Sequence, residues 1–260
     1  MRFRVACAAL AVAGLITPAF GEDAKPLKVL IITGGCCHDY DQQGRILAHG
    51  LKARANVACT VLQEIDSGVA SKIPLYENPD WAKGWDVVIH DECFSDVKEI
   101  EWVEKVLKPH KEGTPAVVLH CAMHCYRAPT DEWFKFVGIK SPGHGAHYGF
   151  DVKNVKADHP IMKGFGEKWT VGKDELYFCD KVGDKTTALA EAYSTDRKAP
   201  QTCVWASDYG KTRVFGTTLG HYNETVQAKE YLDLVARGLL WSCNKLGDDG
   251  QPMAGYGPKK

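Results

Sequence analysis

Two spacings of hydrophobic residues alternate along the first half of the chain. Runs rich in apolar residues lie at positions 27–32, 57–62, 85–90 and 115–120. They predict strands that are buried on both faces. Residues 41–54 and 99–108 place apolar side chains three and four positions apart, the spacing of a helix with one buried face. This alternation predicts an α/β fold with a mostly parallel central sheet.

The second half of the chain has a pattern richer in strands. Further strands are predicted at 148–155, 175–179, 187–193, 202–206 and 213–219, and a helix is predicted at 226–241. There is no internal repeat and no linker, so we expect one domain over 27–243. A short leader would cover 22–26. Residues 244–260, rich in glycine, proline and charge, predict a flexible tail.

The first 21 residues have the pattern of a secretory signal peptide. Arg2 and Arg4 precede an apolar run over 5–16, and small residues follow up to Gly21. The run is too short to span a bilayer. The sequence therefore predicts a secreted or periplasmic protein that is cleaved near Gly21.

The composition narrows the class of partner. Lys and Arg number 32 against 33 Asp and Glu, and this balance argues against nucleic acid or an anionic membrane surface. Gly34 and Gly35 follow the first strand, but no complete dinucleotide or phosphate-loop motif surrounds them. We therefore expect no nucleotide cofactor, and a small molecule as the ligand. Oligomeric state has no signature in the sequence.

Histidine and cysteine, ten of each, concentrate where predicted strands end. Ligand sites of open α/β sheets form at the carboxyl ends of the strands, so these residues are candidates for chemistry. The candidate metal ligands are His38, His120, His124, His144 and His147. The candidate catalytic residues are Asp39, Asp174, Glu175 and His221. Imidazole and thiolate favour a divalent zinc, copper or iron ion.

Two pairs of histidines carry the metal hypothesis. His120 and His124 are four residues apart and would share a face if a helix begins there. His144 and His147 lie in a glycine-rich segment that we expect to be a loop. For any one histidine alone, a surface position or a structural hydrogen bond in the core is the favoured interpretation, and only the set as a whole favours a metal or acid–base site.

The cysteines have three interpretations. Disulfides are one, with Cys121 and Cys125 as a possible pair, although the nine cysteines left after cleavage cannot all pair within one chain. Metal-bound thiolates beside the histidines are the second. A nucleophilic Cys121 activated by His221 is the third and requires the most coincidences.

Several motifs together resemble the ThuA-like (trehalose utilisation) family of the class I glutamine amidotransferase-like superfamily. The motifs are VLIITGG at 29–35 with HDY at 38–40, VLH at 118–120, DHPI at 158–161, DELY at 174–177, and RVF at 213–215 leading to TTLGH at 217–221. The resemblance implies a flavodoxin-like three-layer sandwich and a role in sugar utilisation, including oxidised keto-disaccharides.

The same resemblance places His120 where amidotransferases have their nucleophilic cysteine, and His221 where they have the triad histidine. The residues after His221 are Tyr-Asn-Glu rather than Pro-Glu, and both departures argue against glutaminase chemistry. We therefore expect a secreted carbohydrate-processing protein, a metal-assisted hydrolase, lyase or isomerase acting on keto-sugars or glycosides. The alternatives are a non-catalytic sugar- or metal-binding protein and, less favoured, a hydrolase with Cys121 as nucleophile.

Overall fold

The computed structural model describes residues 24–66 and 68–259. The predicted signal peptide at 1–21 lies outside these residues. Within the described part of the chain, every helix is too short or too polar to cross a membrane.

Eleven strands and five helices make up the described chain, together with three short 3₁₀ turns. The strands are β1 (Leu27–Gly35), β2 (Val57–Glu64), β3 (Val87–Cys93), β4 (Ala116–Leu119), β5 (Ile139–Lys140), β6 (His144–Asn154), β7 (Lys168–Tyr177), β8 (Lys181–Val182), β9 (Thr186–Ser194), β10 (Ala199–Tyr209) and β11 (Thr212–Thr217). The helices are α1 (Tyr40–Lys52), α2 (Ile100–Glu112), α3 (Glu132–Val137), α4 (Asn223–Val226) and α5 (Lys229–Ser242). Most lie within a few residues of their predicted positions.

Nine of the strands form one mixed sheet in the order β2-β1-β3-β4-β11-β10-β9-β6-β7. The pairings from β2 to β11 are parallel, whereas those from β11 to β7 are antiparallel. The sheet is therefore less parallel than the sequence predicts. Strands that follow one another without a crossover helix, such as β10 and β11, can pair only as antiparallel neighbours.

Helices cover both faces of the sheet, and each face has its own hydrophobic core. On one face, Leu47 and Leu51 of α1 join Leu239 of α5 in a single cluster. On the other face, Trp102 of α2 and Phe136 of α3 belong to the second cluster. This arrangement confirms the predicted α/β, flavodoxin-like three-layer fold.

The carboxyl ends of three neighbouring parallel strands meet at one edge of the sheet. β1, β3 and β4 end at Gly35, Cys93 and Leu119, and the candidate residues follow directly. β6 begins at this edge and β7 ends there, since His147 pairs with Glu175. One edge therefore collects side chains from both halves of the chain.

The segment predicted as a flexible tail makes defined contacts with the domain. The backbone N–H of Asn56 donates to the carbonyl of Tyr256, and the Asn56 side-chain amide donates to the carbonyl of Gly255 at 2.9 Å. Leu246 is buried in the same hydrophobic cluster as residues of α5. These contacts fasten the segment beside the start of β2.

Candidate functional site

Glu175, near the end of β7, stands among four imidazole rings. Its Oε1 atom lies 2.7 Å from Nε2 of His147, 3.2 Å from Nδ1 of His221 and 3.5 Å from Nε2 of His144. Its Oε2 atom lies 3.3 Å from Nε2 of His120. One carboxylate therefore contacts histidines from three separate parts of the chain. We call these four histidines, together with His38, the histidine cluster.

Electrostatics keep this carboxyl group ionised. Burial alone would raise the pKa of Glu175, but the nearby imidazoles of His120 and His221 outweigh burial and lower the pKa well below its usual range. The pair of oxygens is consequently a fixed negative charge, suited to a cation in the space that the imidazoles surround.

His38 packs edge-on against two members of the cluster. Its ring centroid lies 4.7 Å from those of His120 and His221. Among the described residues, neither ring nitrogen has a hydrogen-bond partner although both are buried. Burial, followed by the nearby His120 and His221, lowers the pKa of His38 to about 2. A neutral, unpaired and buried imidazole is the state in which histidine binds a metal.

His120 occupies a sharp turn directly after β4. Its φ of 45° is unusual for a residue other than glycine, and it directs the side chain into the site at the sheet edge. Nδ1–H donates to the carbonyl of Thr218 at 2.6 Å, which fixes the orientation of the ring. Metal-binding histidines are commonly oriented by a carbonyl in this manner.

A backbone irregularity brings His144 and His147 to the same carboxylate. The sequence predicts a loop here, but β6 begins at His144 and pairs with β7. Residues three apart in a regular strand point to opposite faces. The register shifts between His144 and His147, and this β-bulge allows both rings to reach Glu175.

The loop that carries His221 is held by two buried polar side chains. Asp174 accepts hydrogen bonds from the backbone N–H groups of Gly220 at 3.0 Å and His221 at 2.9 Å. From α1, Gln43 donates its amide to the carbonyls of the same two residues, each at 3.1 Å. These bonds fix the backbone from both sides, so Asp174 positions His221.

Besides Asp174, two further predicted site residues lie outside the cluster. Asp39 accepts hydrogen bonds at the start of α1 from the backbone of Gln42 and from the side chain of Asn223. His124 bonds to the Ser141 hydroxyl at 2.8 Å. Burial, then nearby Arg127, lowers the pKa of His124 to about 3.

The position of His124 follows from the type of helical turn. Residues 120–124 form a 3₁₀ turn, in which side chains four apart are separated by about 120° around the axis rather than the roughly 40° of an α-helix. His120 therefore faces Glu175, while His124 stacks on the ring of Tyr177 at 4.2 Å.

Two tyrosines belong to the site although the sequence analysis did not select them. The hydroxyl of Tyr177 lies 3.3 Å from Nε2 of His120, and that of Tyr222 lies 2.7 Å from Nδ1 of His147. Tyr222 directly follows His221, and Tyr177 ends the DELY motif. Their adjacency to selected residues is the one signal by which the sequence could have identified them.

The cysteines at this edge form two disulfides. Cys36 pairs with Cys37, and Cys93 pairs with Cys121. The pairing of Cys121 with Cys125 considered from the sequence is wrong. Cys125 instead stays a thiol whose Sγ donates to the carbonyl of Glu92 at 3.0 Å.

Two groups in the histidine cluster have the spacing of metal ligands. His38, His120 and His221 form one, and His144, His147 and Glu175 form the other, with the ligand atoms of each group within 4.8 Å of one another. The arrangement can hold a divalent cation.

Comparison with known proteins decides the family. The family model described as trehalose utilisation, ThuA, matches residues 28–242. The chain belongs to the ThuA family. Membership indicates a carbohydrate-related function. No curated protein matches the chain significantly.

Solved structures share the ThuA fold at low sequence identity. A ThuA-like protein from Parabacteroides merdae is 19% identical with a TM-score of 0.69, covering 91% of this chain and 98% of its own. A ThuA-like protein from Bacteroides uniformis is 14% identical with a TM-score of 0.65, covering 87% and 95%. A structure described as a GMP synthase subunit from Thermoplasma acidophilum is 13% identical with a TM-score of 0.54, covering 85% and 96%. These solved structures support the fold of the chain.

Proposed function

We propose that this ThuA protein is a metal-assisted enzyme that acts on oxidised, keto-form sugars or glycosides by moving a proton beside the carbonyl. The observation that carries the proposal is the ionised Glu175 carboxylate among four imidazoles, with the unpaired His38 beside them. Membership of the ThuA family is the reason for proposing a sugar as the substrate. The pattern at 1–21 supports action outside the cytoplasm, in the periplasm or after secretion.

His38, His120 and His221 are the residues we assign to the metal. Their nitrogens approach one another closely, and His38 offers buried lone pairs that the described protein groups do not use. The Glu175 charge compensates the charge of the cation. A divalent transition metal bound there would act as a Lewis acid on the sugar carbonyl and acidify the neighbouring C–H bond.

His144 is the group we assign to proton transfer. Its Nδ1–H donates to the carbonyl of Gly145 at 2.9 Å, so its lone pair lies on Nε2. The side chain is 37% exposed, which leaves it accessible to a sugar. After taking the C–H proton, the imidazolium would be stabilised by Glu175 Oε1 at 3.5 Å. Return of the proton to another carbon gives isomerisation, and loss of a neighbouring group gives elimination.

Measurements of metal content and of sensitivity to chelators test whether the protein binds a metal that its activity requires. We expect purified protein to contain stoichiometric transition metal and to lose turnover of a panel of keto-glycosides after chelation. Glu175→Gln removes the compensating charge and should lower metal affinity roughly 10- to 100-fold. Glu167→Gln, an exposed change at the edge before β7, is the matched control and should keep the metal. Turnover that persists in metal-free protein would refute the proposal.

Exchange of the C–H proton with solvent tests His144. In deuterated water, the protein should catalyse exchange at the carbon beside the sugar carbonyl, detected by nuclear magnetic resonance. His144→Gln should slow this exchange roughly 10²- to 10⁴-fold, whereas His49→Gln, on the exposed face of α1, should not. If sugar binds tightly but neither exchange nor turnover occurs, the protein is a binding protein and the enzymatic proposal fails.

A further inference from the structure

Four cysteines occupy the edge of the sheet beside the histidine cluster, and the proposed reaction uses none of them. Cys36 and Cys37 follow β1, Cys93 ends β3, and Cys121 lies in the turn after β4. Because these three parallel strands are neighbours, sulfur atoms from distant parts of the sequence converge.

Distances connect three of these sulfurs with one histidine. The Sγ atoms of Cys93 and Cys121 and a ring nitrogen of His38 lie within 4.8 Å of one another. Cys36 Sγ lies 4.0 Å from Cys93 Sγ. Cys93 and Cys121 are only 5% and 8% exposed, so the group is shielded from water.

We propose that Cys93, Cys121 and His38 form a second metal site, specific for thiophilic ions such as zinc, cadmium or copper(I), with Cys36 as the fourth ligand. The site exists only when the disulfides are reduced. It shares His38 with the metal site proposed above, but its other ligands are thiolates, so its formation does not depend on the proposed sugar chemistry.

The separation of one pair of sulfurs already fits tetrahedral coordination, whereas the bonded sulfurs of Cys93 and Cys121 must move apart on reduction. With zinc–sulfur bonds of about 2.3 Å, two sulfurs on one tetrahedral zinc lie about 3.8 Å apart. The 4.0 Å separation of Cys36 and Cys93 is close to this value. Both ring nitrogens of His38 are without partners in the described protein, so a nitrogen ligand is available for the sulfurs.

The other thiols in the described residues are arranged differently. Cys125 donates its S–H to the carbonyl of Glu92, and Cys203 donates to the carbonyl of Ala190 at 3.5 Å. Burial raises the pKa of Cys203 well above its usual range, which opposes thiolate formation there. Neither of these two thiols takes part in the convergence of sulfurs at the sheet edge.

The metal site would form in two separate chemical steps, reduction of the disulfides and then binding of the metal ion. A small dithiol transfers two electrons and two protons to each disulfide, yielding two protein thiols and one oxidised, cyclic dithiol. A divalent ion then replaces the protons of the coordinating thiols, and each thiolate that binds releases one proton. Re-oxidation to the Cys93–Cys121 disulfide removes two ligands and releases the ion.

Titration with cobalt(II) and cadmium(II) tests the site, because both ions give intense thiolate-to-metal absorption that imidazole and carboxylate ligands do not produce. We expect this absorption in the reduced full chain and its absence in the oxidised chain. Cys93→Ser and Cys121→Ser should each abolish or strongly weaken it. Cys179→Ser, a half-buried free thiol elsewhere, is the matched control and should leave it unchanged.

Thiol labelling and circular dichroism make each outcome interpretable. Labelling confirms that reduction has freed Cys93 and Cys121, and circular dichroism confirms that the variants are folded. Overturning the proposal would take a reduced, folded sample that gives no thiolate absorption although a separate portion of it labels at Cys93 and Cys121. Cobalt bound only through the histidines, shown by weak ligand-field bands alone, would also overturn it while leaving the proposed enzymatic metal site intact.

Discussion

Adjacent carboxylates at the end of β7 have different environments. Glu175 faces the imidazoles, whereas Asp174 is fully buried and binds backbone. Asp174 Oδ1 accepts from the N–H groups of Glu175 and His221, and Oδ2 accepts from Gly220. Both acids were selected from the sequence as catalytic candidates, yet their surroundings depend on a loop more than 40 residues away.

Asp174→Asn should destabilise the protein while changing only one atom. The new amide nitrogen would replace Oδ2 and present its hydrogens to the N–H of Gly220, which leaves a buried donor without a partner. We expect a loss of about 2 kcal/mol in the free energy of unfolding. Urea denaturation measures it. Asp208→Asn, exposed on β10, should change stability by less than about 0.5 kcal/mol. Equal stabilities of the two variants would contradict the positioning role.

Residue types at strand ends were sufficient to select most of the histidine cluster. His38, His120, His144, His147, His221 and Glu175 are brought together as the sequence suggested. Tyr177 and Tyr222 were not selected, because the sequence does not show that their hydroxyls reach the imidazoles. Such contacts depend on side-chain directions and on pairing between distant strands.

Among the elements, β11 depends on one residue that has no side chain. An added Cβ at Gly216 would lie 2.2 Å from the ring of Trp205 on β10. Trp205 is fully buried, and its indole N–H donates to the carbonyl of Val137 at 2.7 Å. The ring therefore has little freedom to move aside, and the close approach of β11 to this ring requires glycine.

Gly216→Ala should consequently destabilise the fold by about 3 kcal/mol, the upper part of the range for overpacked cores. Gly172→Ala on β7 is the matched control, because its added Cβ would contact nothing within 4 Å. Parallel urea denaturation of the two variants compares them. A Gly216→Ala protein as stable as the control would show that Trp205 can relocate without cost.

The sequence identified element types better than local irregularities. Hydrophobic periodicity predicted the strands and helices of the parallel half, where long apolar runs and amphipathic helices alternate. It did not predict the bulge in β6 or the 3₁₀ turn after β4. Both are short departures from regular geometry, and both determine which histidines face Glu175.

At the scale of the whole molecule, stability should depend on pH through buried histidines. His110 of α2 donates Nδ1–H to the carbonyl of Thr114, and its Nε2 lies 3.0 Å from Nε2 of His90 on β3. Burial, then neighbouring His90, lowers the pKa of His110 from 6.5 to about 3. The unfolded chain therefore binds a proton at a pH where folded His110 stays neutral.

We expect the contribution of His110 to the free energy of unfolding to be complete above pH 6.5. It should fall as the pH drops towards about 3. One such group costs about 1.4 kcal/mol of unfolding free energy per pH unit in that window. Urea denaturation between about pH 7 and pH 4 measures the slope. His110→Gln should reduce this slope by the amount that corresponds to about one bound proton, whereas His49→Gln should leave the slope unchanged. An unchanged slope in His110→Gln would contradict this assignment.

The order of the sheet was the least accessible feature of the sequence. Parallel pairing of β11 with β4 joins residues almost 100 positions apart, and it brings the His221 loop next to His120. The pairing of Cys93 with Cys121 has the same origin, since both follow neighbouring strands. Neither can be derived from local periodicity, which carries no information on which strands are neighbours.

The Asn56 side chain also has a consequence for chain connectivity. Its amide donates to the carbonyl of Ala24 at 2.8 Å and to that of Gly255 at 2.9 Å, so residues 24 and 255 lie side by side. The two ends of the domain therefore lie close together, and the core does not depend on where along the chain the termini are placed. A circular permutant joined near these residues and opened at the exposed turn 184–185 should retain the same sheet, as a cooperative thermal transition would show.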